Sequence, residues 1–192
     1  RFPNTPVAMI TAFGNVEAAV EALKAGAFDF VSKPVDINVL RGLAAIQVAA
    51  AIVWHEQLRP ALAHLKATVD RRARQLATVV KTGRTHLMDA MPLTLAQEMG
   101  AWRTQVDDGI ARLQGTRSRL HSLALGGTAV GTGINAPPEF AARAAALLSR
   151  QTGLDLRPSR DFFASLAAQD TAVELSGQLR TLAVSLMKIS ND

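Results

Sequence analysis

The sequence contains no cysteine and no tyrosine, and aromatic residues make up only 5% of it. Without cysteine there is neither a disulfide framework nor a thiolate zinc site, which accords with a reducing, cytoplasmic setting. Long hydrophobic runs are missing too. The longest, Leu43 to Trp54, is 12 residues and is interrupted by Gln47, well short of the roughly 20 needed to cross a bilayer. No signal-peptide pattern is present, so no membrane partner is expected. The scarcity of aromatics also bears on the net charge of +5. Arginines are spread along helical segments and do not alternate with stacking side chains, so nucleic acid is not expected as a partner. Their densest cluster, Arg71, Arg72 and Arg74, reads as a solvated helix face. His55, His64 and His121 have no ligand spacing with one another, and neither a metal nor a cofactor is expected.

What is present describes a globular protein: apolar residues at 48% against 19% charged, enough for one core with a small extra module. Residues 1–44 differ in character from the rest. Val7 to Ile10 and Phe28 to Val31 are short apolar runs bounded by proline or threonine, and between them Val16, Val20 and Leu23 recur at helical spacing up to Gly26. This predicts a strand, helix, strand unit with a parallel pair. From there the pattern turns helical. Val39, Leu43, Ile46, Ala50 and Val53 form an apolar stripe that predicts one helix over 37–58, and Pro60 should start or kink the next.

Gly83 to Glu98, GRTHLMDAMPLTLAQE, opens with a short polar turn, and Pro92 predicts a helix start. That helix should run from Pro92 to Leu123 with Leu95, Met99, Trp102, Val106, Ile110, Leu113 and Leu120 on one side, about 48 Å long. A stripe of that length needs partner helices. Gly126 to Asn135, GGTAVGTGIN, lacks the spacing of a nucleotide loop and is read as close backbone packing. Pro137 and Pro138 open a helix that Gly153 closes. Phe163 onward carries Ala168, Ala172, Leu175, Leu179, Leu182, Leu186 and Ile189 at spacings of 4 and 3, a bundle seam. The chain begins at Arg1 and stops at Asp192 within a helical pattern, and a fragment is expected.

Two resemblances follow from these residues. PVAMITAFGNVEAAVEALKAGAFDFVSKP resembles the second half of a receiver domain from two-component response regulators, where Thr11 and Lys33 match the positions that contact a phosphorylated aspartate. No residues here correspond to that family's phosphoacceptor or its magnesium-holding acidic pair. From Ala45 onward the chain resembles class II fumarases of the fumarase/aspartase superfamily. Gly83 to Glu98 matches that family's Thr-His segment, and GGTAVGTGIN and SLMKISND match further elements. Ala96, Thr82 and Ser190 depart from the family's usual residues.

The resemblance implies a mainly α fold, a long-helix bundle preceded by a small β-α-β receiver-like half-domain, with domains at 1–44 and 45–192. It implies a homo-oligomer, a tetramer in the family, acting on a small dicarboxylate by reversible hydration of fumarate to malate. Thr85 would hydrogen-bond a substrate carboxylate and His86 would move a proton or orient water, histidine being suited to proton transfer near neutral pH. Related aspartases carry Gln at the position of His86. The family's Ser-Ser-Asn segment and mobile Ser/Lys/Asn loop have no counterpart in the sequence, so the chain alone is expected to be inactive. Two other readings remain open: a truncated receiver in phosphorelay signalling, and a chimeric helical assembly module without activity.

Overall fold

Helical periodicity is the dominant feature of the computed structural model, which describes residues 7–11, 27–32 and 37–192, with side chains from residue 44 onward. The chain divides into two compact units, one of Arg1–Ile46 with Ser122–Ala168 and one of Gln47–His121 with Gln169–Asp192. The second unit carries the main core.

Helix α1 (Ile37–Val53), which enters that unit at Gln47, passes into a π-helical turn, Trp54–Leu58, and then into α2 (Arg59–Gln75). The Arg59 N–H donates to the Trp54 carbonyl five residues back. The wider turn comes where Pro60, at the start of α2, has no N–H to give and its ring would crowd the carbonyl four residues earlier. The sequence-based expectation of a helix over 37–58 and a proline-marked restart therefore holds in outline. Its buried face does not. Ala44, Val48, Ala51 and Trp54 are buried, whereas Ile46 is 63% and Val53 48% exposed. Residues 43–54 are apolar nearly all round, so periodicity alone does not choose the side that packs.

After α2 the chain forms a hairpin, β3 (Val80–Thr85) and β4 (Met88–Thr94), then the long helix α3 (Leu95–Leu120). A helix start at Pro92 is thus corrected: Pro92 lies in β4 opposite Thr82, on a two-stranded sheet where a proline costs no interior ladder bond. The start falls instead at Thr94, whose side chain accepts from the Gln97 N–H while the Gln97 side chain accepts from the Thr94 N–H. This reciprocal cap fixes the helix at 26 residues, about 39 Å.

The last helix is also shorter than the periodicity predicts. Asp161 caps a short α5 (Phe162–Ala167), Ala168 is extended at φ −140°, and α6 (Asp170–Asn191) follows. No glycine or proline marks that break. Ion pairs give the helix directions: Lys66 meets Asp107 and Asp70 meets Arg103, while Arg119 meets Glu174 near the other end of α3 from Trp102, which donates to Asp192. Hence α2 and α6 both run antiparallel to α3. Trp54, Leu62, Val106, Leu113 and Leu182 form the buried cluster, with Leu58, Leu65, Ile110, Leu175, Leu186 and Ile189 packed on it. Burying each large aliphatic contributes about 1.5–3 kcal/mol; the surface ion pairs contribute about 0–1 kcal/mol each and chiefly pin register.

The first unit contains β1 (Val7–Thr11) and β2 (Ala27–Ser32), paired in parallel as expected, with Thr11 opposite Ser32. The helix expected at 16–25 lies outside the described residues. It also contains α4 (Phe140–Thr152), closed by Gly153 at φ 69°, and two short strands the sequence did not announce, β5 (Ser122–Leu123) and β6 (Arg157–Pro158), paired in parallel. In the glycine-rich loop, the Gly127 carbonyl accepts from Gly131 and Gly133. A Cβ on Gly131 would stand 2.8 Å from the Phe163 backbone nitrogen at φ 111°, so close packing accounts for that glycine. Among the described residues no helix is long and apolar enough to cross a membrane.

Candidate active site

Thr85 and His86 sit at the tip of the β3–β4 hairpin. Thr85 ends β3 and pairs with Met88, which leaves His86 and Leu87 as a two-residue turn. Both have positive φ, 49° and 62°. A turn with two such residues matches the right-handed strand twist but favours Asn and Gly, because a Cβ is crowded there. Holding a histidine and a leucine in it costs on the order of 1–3 kcal/mol each. Strain of this kind persists only where the surroundings impose it.

Those surroundings are visible lower in the hairpin. At Gly83 the pairing register slips between Thr82 and Arg84, and a Cβ on Gly83 would meet the Met91 carbonyl at 2.6 Å and Leu93 at 2.7 Å. Only a glycine allows this approach. Arg84 Nε donates to Asp89 Oδ1 at 3.2 Å across the strands. At the base, Lys81 Nζ donates to both Glu98 carboxylate oxygens, at 2.8 and 2.9 Å, and the Leu95 N–H to the Val79 carbonyl. The hairpin is therefore tied to the first turn of α3 and its tip is set at a fixed distance from the core.

The tip itself is open. Thr85 and His86 are exposed; Leu87 is 100% exposed, Met88 71% and Met91 81%. A hydroxyl donor, an imidazole and an apolar rim thus point away from the unit's own core. The sequence placed Thr85 and His86 on a connection before a helix; the structure places them one strand further from it. Thr11 ends β1, and Lys33 lies outside the described residues. Among the described residues no group of three His, Asp or Glu side chains is arranged to hold a metal ion. Sequence reasoning weighed His55 and His121 only as metal ligands and did not join them to Arg59 and Arg117, with which they surround a cavity; the 4-residue spacings 55/59 and 117/121 were the available signal.

Residues 43–192 match the family pattern described as "Lyase", and residues 1–45 match that of the response regulator receiver domain. The class II fumarate hydratase of Xylella fastidiosa (strain Temecula1) is 56% identical over 148 residues, which cover 77% of this chain and 31% of that protein. A second one, from Pseudomonas aeruginosa, is 52% identical over 147 residues, covering 77% and 32%. The solved class II fumarase of Schistosoma mansoni superposes with a TM-score of 0.76 at 30% identity, over 78% of this chain and 34% of that one. The chain spans about a third of the length of the relatives it matches. Its mainly helical fold agrees with theirs, and the chain belongs to the lyase family of the fumarase/aspartase superfamily.

Proposed function

We propose that residues 45–192 are a segment of a fumarate hydratase, adding water reversibly across the double bond of fumarate. In the reverse direction a proton leaves the carbon next to a carboxylate, and charge accumulates on that carboxylate. Thr85 binds it through the hydroxyl, and His86 moves a proton or orients the water. The observation that carries this reading is the strained turn at His86 and Leu87, which holds His86 outward at the end of a braced hairpin, next to Thr85 at the end of β3.

The same geometry favours a site completed by other chains. A threonine and a histidine exposed at a tip exclude no water and hold a dicarboxylate at one end only, so this polypeptide by itself is inactive. A homo-oligomer, tetrameric as the resemblance implies, brings further donors to the tip and covers Leu87, Met88 and Met91. We also place the boundary between a receiver-like part and the lyase part near residue 44, within α1.

The test is complementation. A class II fumarate hydratase disabled at its own Thr-His pair is refolded together with this chain, and fumarate consumption is followed by ultraviolet absorbance. Activity is expected in the mixture, none in either component, and none when the chain carries His86→Ala. Equal activity with His86→Ala sinks the assignment of His86.

A second reading applies to residues 1–44, supported by the parallel β1–β2 pair and the receiver-domain match. It makes Thr11 and Lys33 remnants of a phosphorylation switch. Exposure to a small acyl phosphate is expected to leave the mass of the chain unchanged; an acid-stable, hydroxylamine-labile phosphoryl adduct would revive that function. If neither activity appears, the helical assembly module is what remains.

A further inference from the structure

A cavity of about 380 Å³ lies where the π-helical turn meets the last turns of α3, lined by Trp54, His55, Arg59, Gln114, Arg117 and His121. Its walls hold four basic side chains and no acidic one. The arrangement is periodic on both sides. His55 and Arg59 are four residues apart along the π-turn and α2, and Gln114, Arg117 and His121 are spaced 3 and 4 along α3, so each helix offers one face. None of these residues belongs to the hairpin tip.

The two arginines stand apart from their neighbours. On α3, Arg103, Arg112 and Arg119 are each within ion-pair distance of a carboxylate, from Asp70, Asp108 and Glu174. Among the described residues no ion pair joins Arg117 or Arg59 to a carboxylate. Two arginines without an ion pair among the described residues thus line one hollow, over a wall that includes the buried Trp54 and His121, although Arg59 also borders a neighbouring cavity that holds Asp70 and Asp107. A wall buried from water on one side screens charge in the hollow less than bulk solvent would. Guanidinium forks match oxyanions two bonds at a time, the Gln114 amide adds a neutral donor, and the volume suits a small molecule. The π-turn is a further sign, since single such turns often mark functional positions in helices.

We propose that this cavity binds a small, multiply charged oxyanion, held by Arg59 and Arg117 with His55 and Gln114 completing the ring of donors. A phosphate group and a dicarboxylate share the chemistry required. The inference does not depend on fumarate hydration by the hairpin.

Trp54 supplies the readout. The sequence has two tryptophans, so the full chain carrying Trp102→Phe reports from Trp54 alone. Inorganic phosphate and succinate are titrated separately while indole emission is recorded, with titration calorimetry on the unsubstituted chain as the second measurement. A saturable response to either ion is expected, weakened by about tenfold or more in Arg59→Gln/Arg117→Gln and unchanged in Arg112→Gln. Phosphate alone binding identifies a phosphorylated ligand; succinate alone identifies a dicarboxylate. Circular dichroism checks that the double variant is folded, and Arg117→Lys, which keeps the charge, is expected to fall between the two. Absence of saturable binding in both measurements, or equal affinity in the folded double variant, overturns the proposal.

Discussion

The α2–α3–α6 core and the β3–β4 hairpin lie within the same compact unit, yet they treat apolar side chains in opposite ways. Val106 and Leu113 are 0% and 1% exposed, while Leu87, Met88 and Met91 are 71% exposed or more. In the core, the stripe of α3 meets residues of its own chain. In the hairpin, an equally apolar set is braced by Gly83, Lys81 and Glu98 and turned outward. An isolated two-stranded hairpin is marginal in water, and an exposed apolar rim marks a contact surface. The difference separates residues that hold this chain together from apolar residues that take no part in its core.

Truncation breaks the comparison most directly. Leu113→Ala is expected to lower the unfolding free energy by about 2–5 kcal/mol, whereas Met91→Ala should change it by less than about 0.5 kcal/mol. Urea unfolding followed by circular dichroism measures both. Similar losses would mean that the hairpin rim packs within the chain. The next effect in size is at Gly83. In Gly83→Ala the new methyl meets the Met91 carbonyl at 2.6 Å, an overpacking that costs about 1–3 kcal/mol. Its damage should be local, so amide exchange is expected to quicken across residues 80–94 and stay slow at Val106 and Leu113.

The core was more legible than the hairpin, for physical reasons. The α3 stripe read from the sequence contains Val106, Leu113 and Leu120, which are buried, because a helix with one apolar face leaves a period of 3.6 with a single solution. In α1 the same rule selected Ile46 and Val53, which are exposed; with apolar residues on every side, a period identifies a helix but not its packed face. The hairpin was hidden by two ambiguous residues. Pro92 is a good first residue of a helix and an acceptable edge-strand residue, and only the cap at Thr94 decides between them. His86 and Leu87 are poor turn formers, so no Asn-Gly signal announced a two-residue turn. Thr85 and His86 were recognisable as residues of a connection, but the strain that holds them outward is a property of backbone angles.

That strain allows the comparison to be sharpened by a stabilising change. Leu87 has φ 62° and a fully exposed side chain, so Leu87→Gly removes a crowded Cβ without removing a contact in the chain. A gain of about 1 kcal/mol is expected, offset in part by the greater freedom of glycine in the unfolded state. If the apolar tip meets another subunit, the same variant should restore less activity in the complementation mixture. A rise in stability with undiminished complementation would show that Leu87 is not a contact residue.

The smallest effect concerns the core side of the comparison, where charge and not burial is tested. Hydrogen bonds from Arg119, at 2.5 and 2.6 Å, hold the Glu174 carboxyl below its ordinary value. A depressed carboxylate contributes stability above its unfolded value, and that contribution is lost as pH falls through the folded one. The acid side of the stability profile should therefore be slightly steeper in the parent chain than in Glu174→Gln, with the difference present near neutral pH and vanishing in strong acid. Both side chains are partly in solvent, so salt should shrink the difference. A difference that survives high salt would mean that the pair is shielded from water, as it would be if another chain covered this face of α3 and α6.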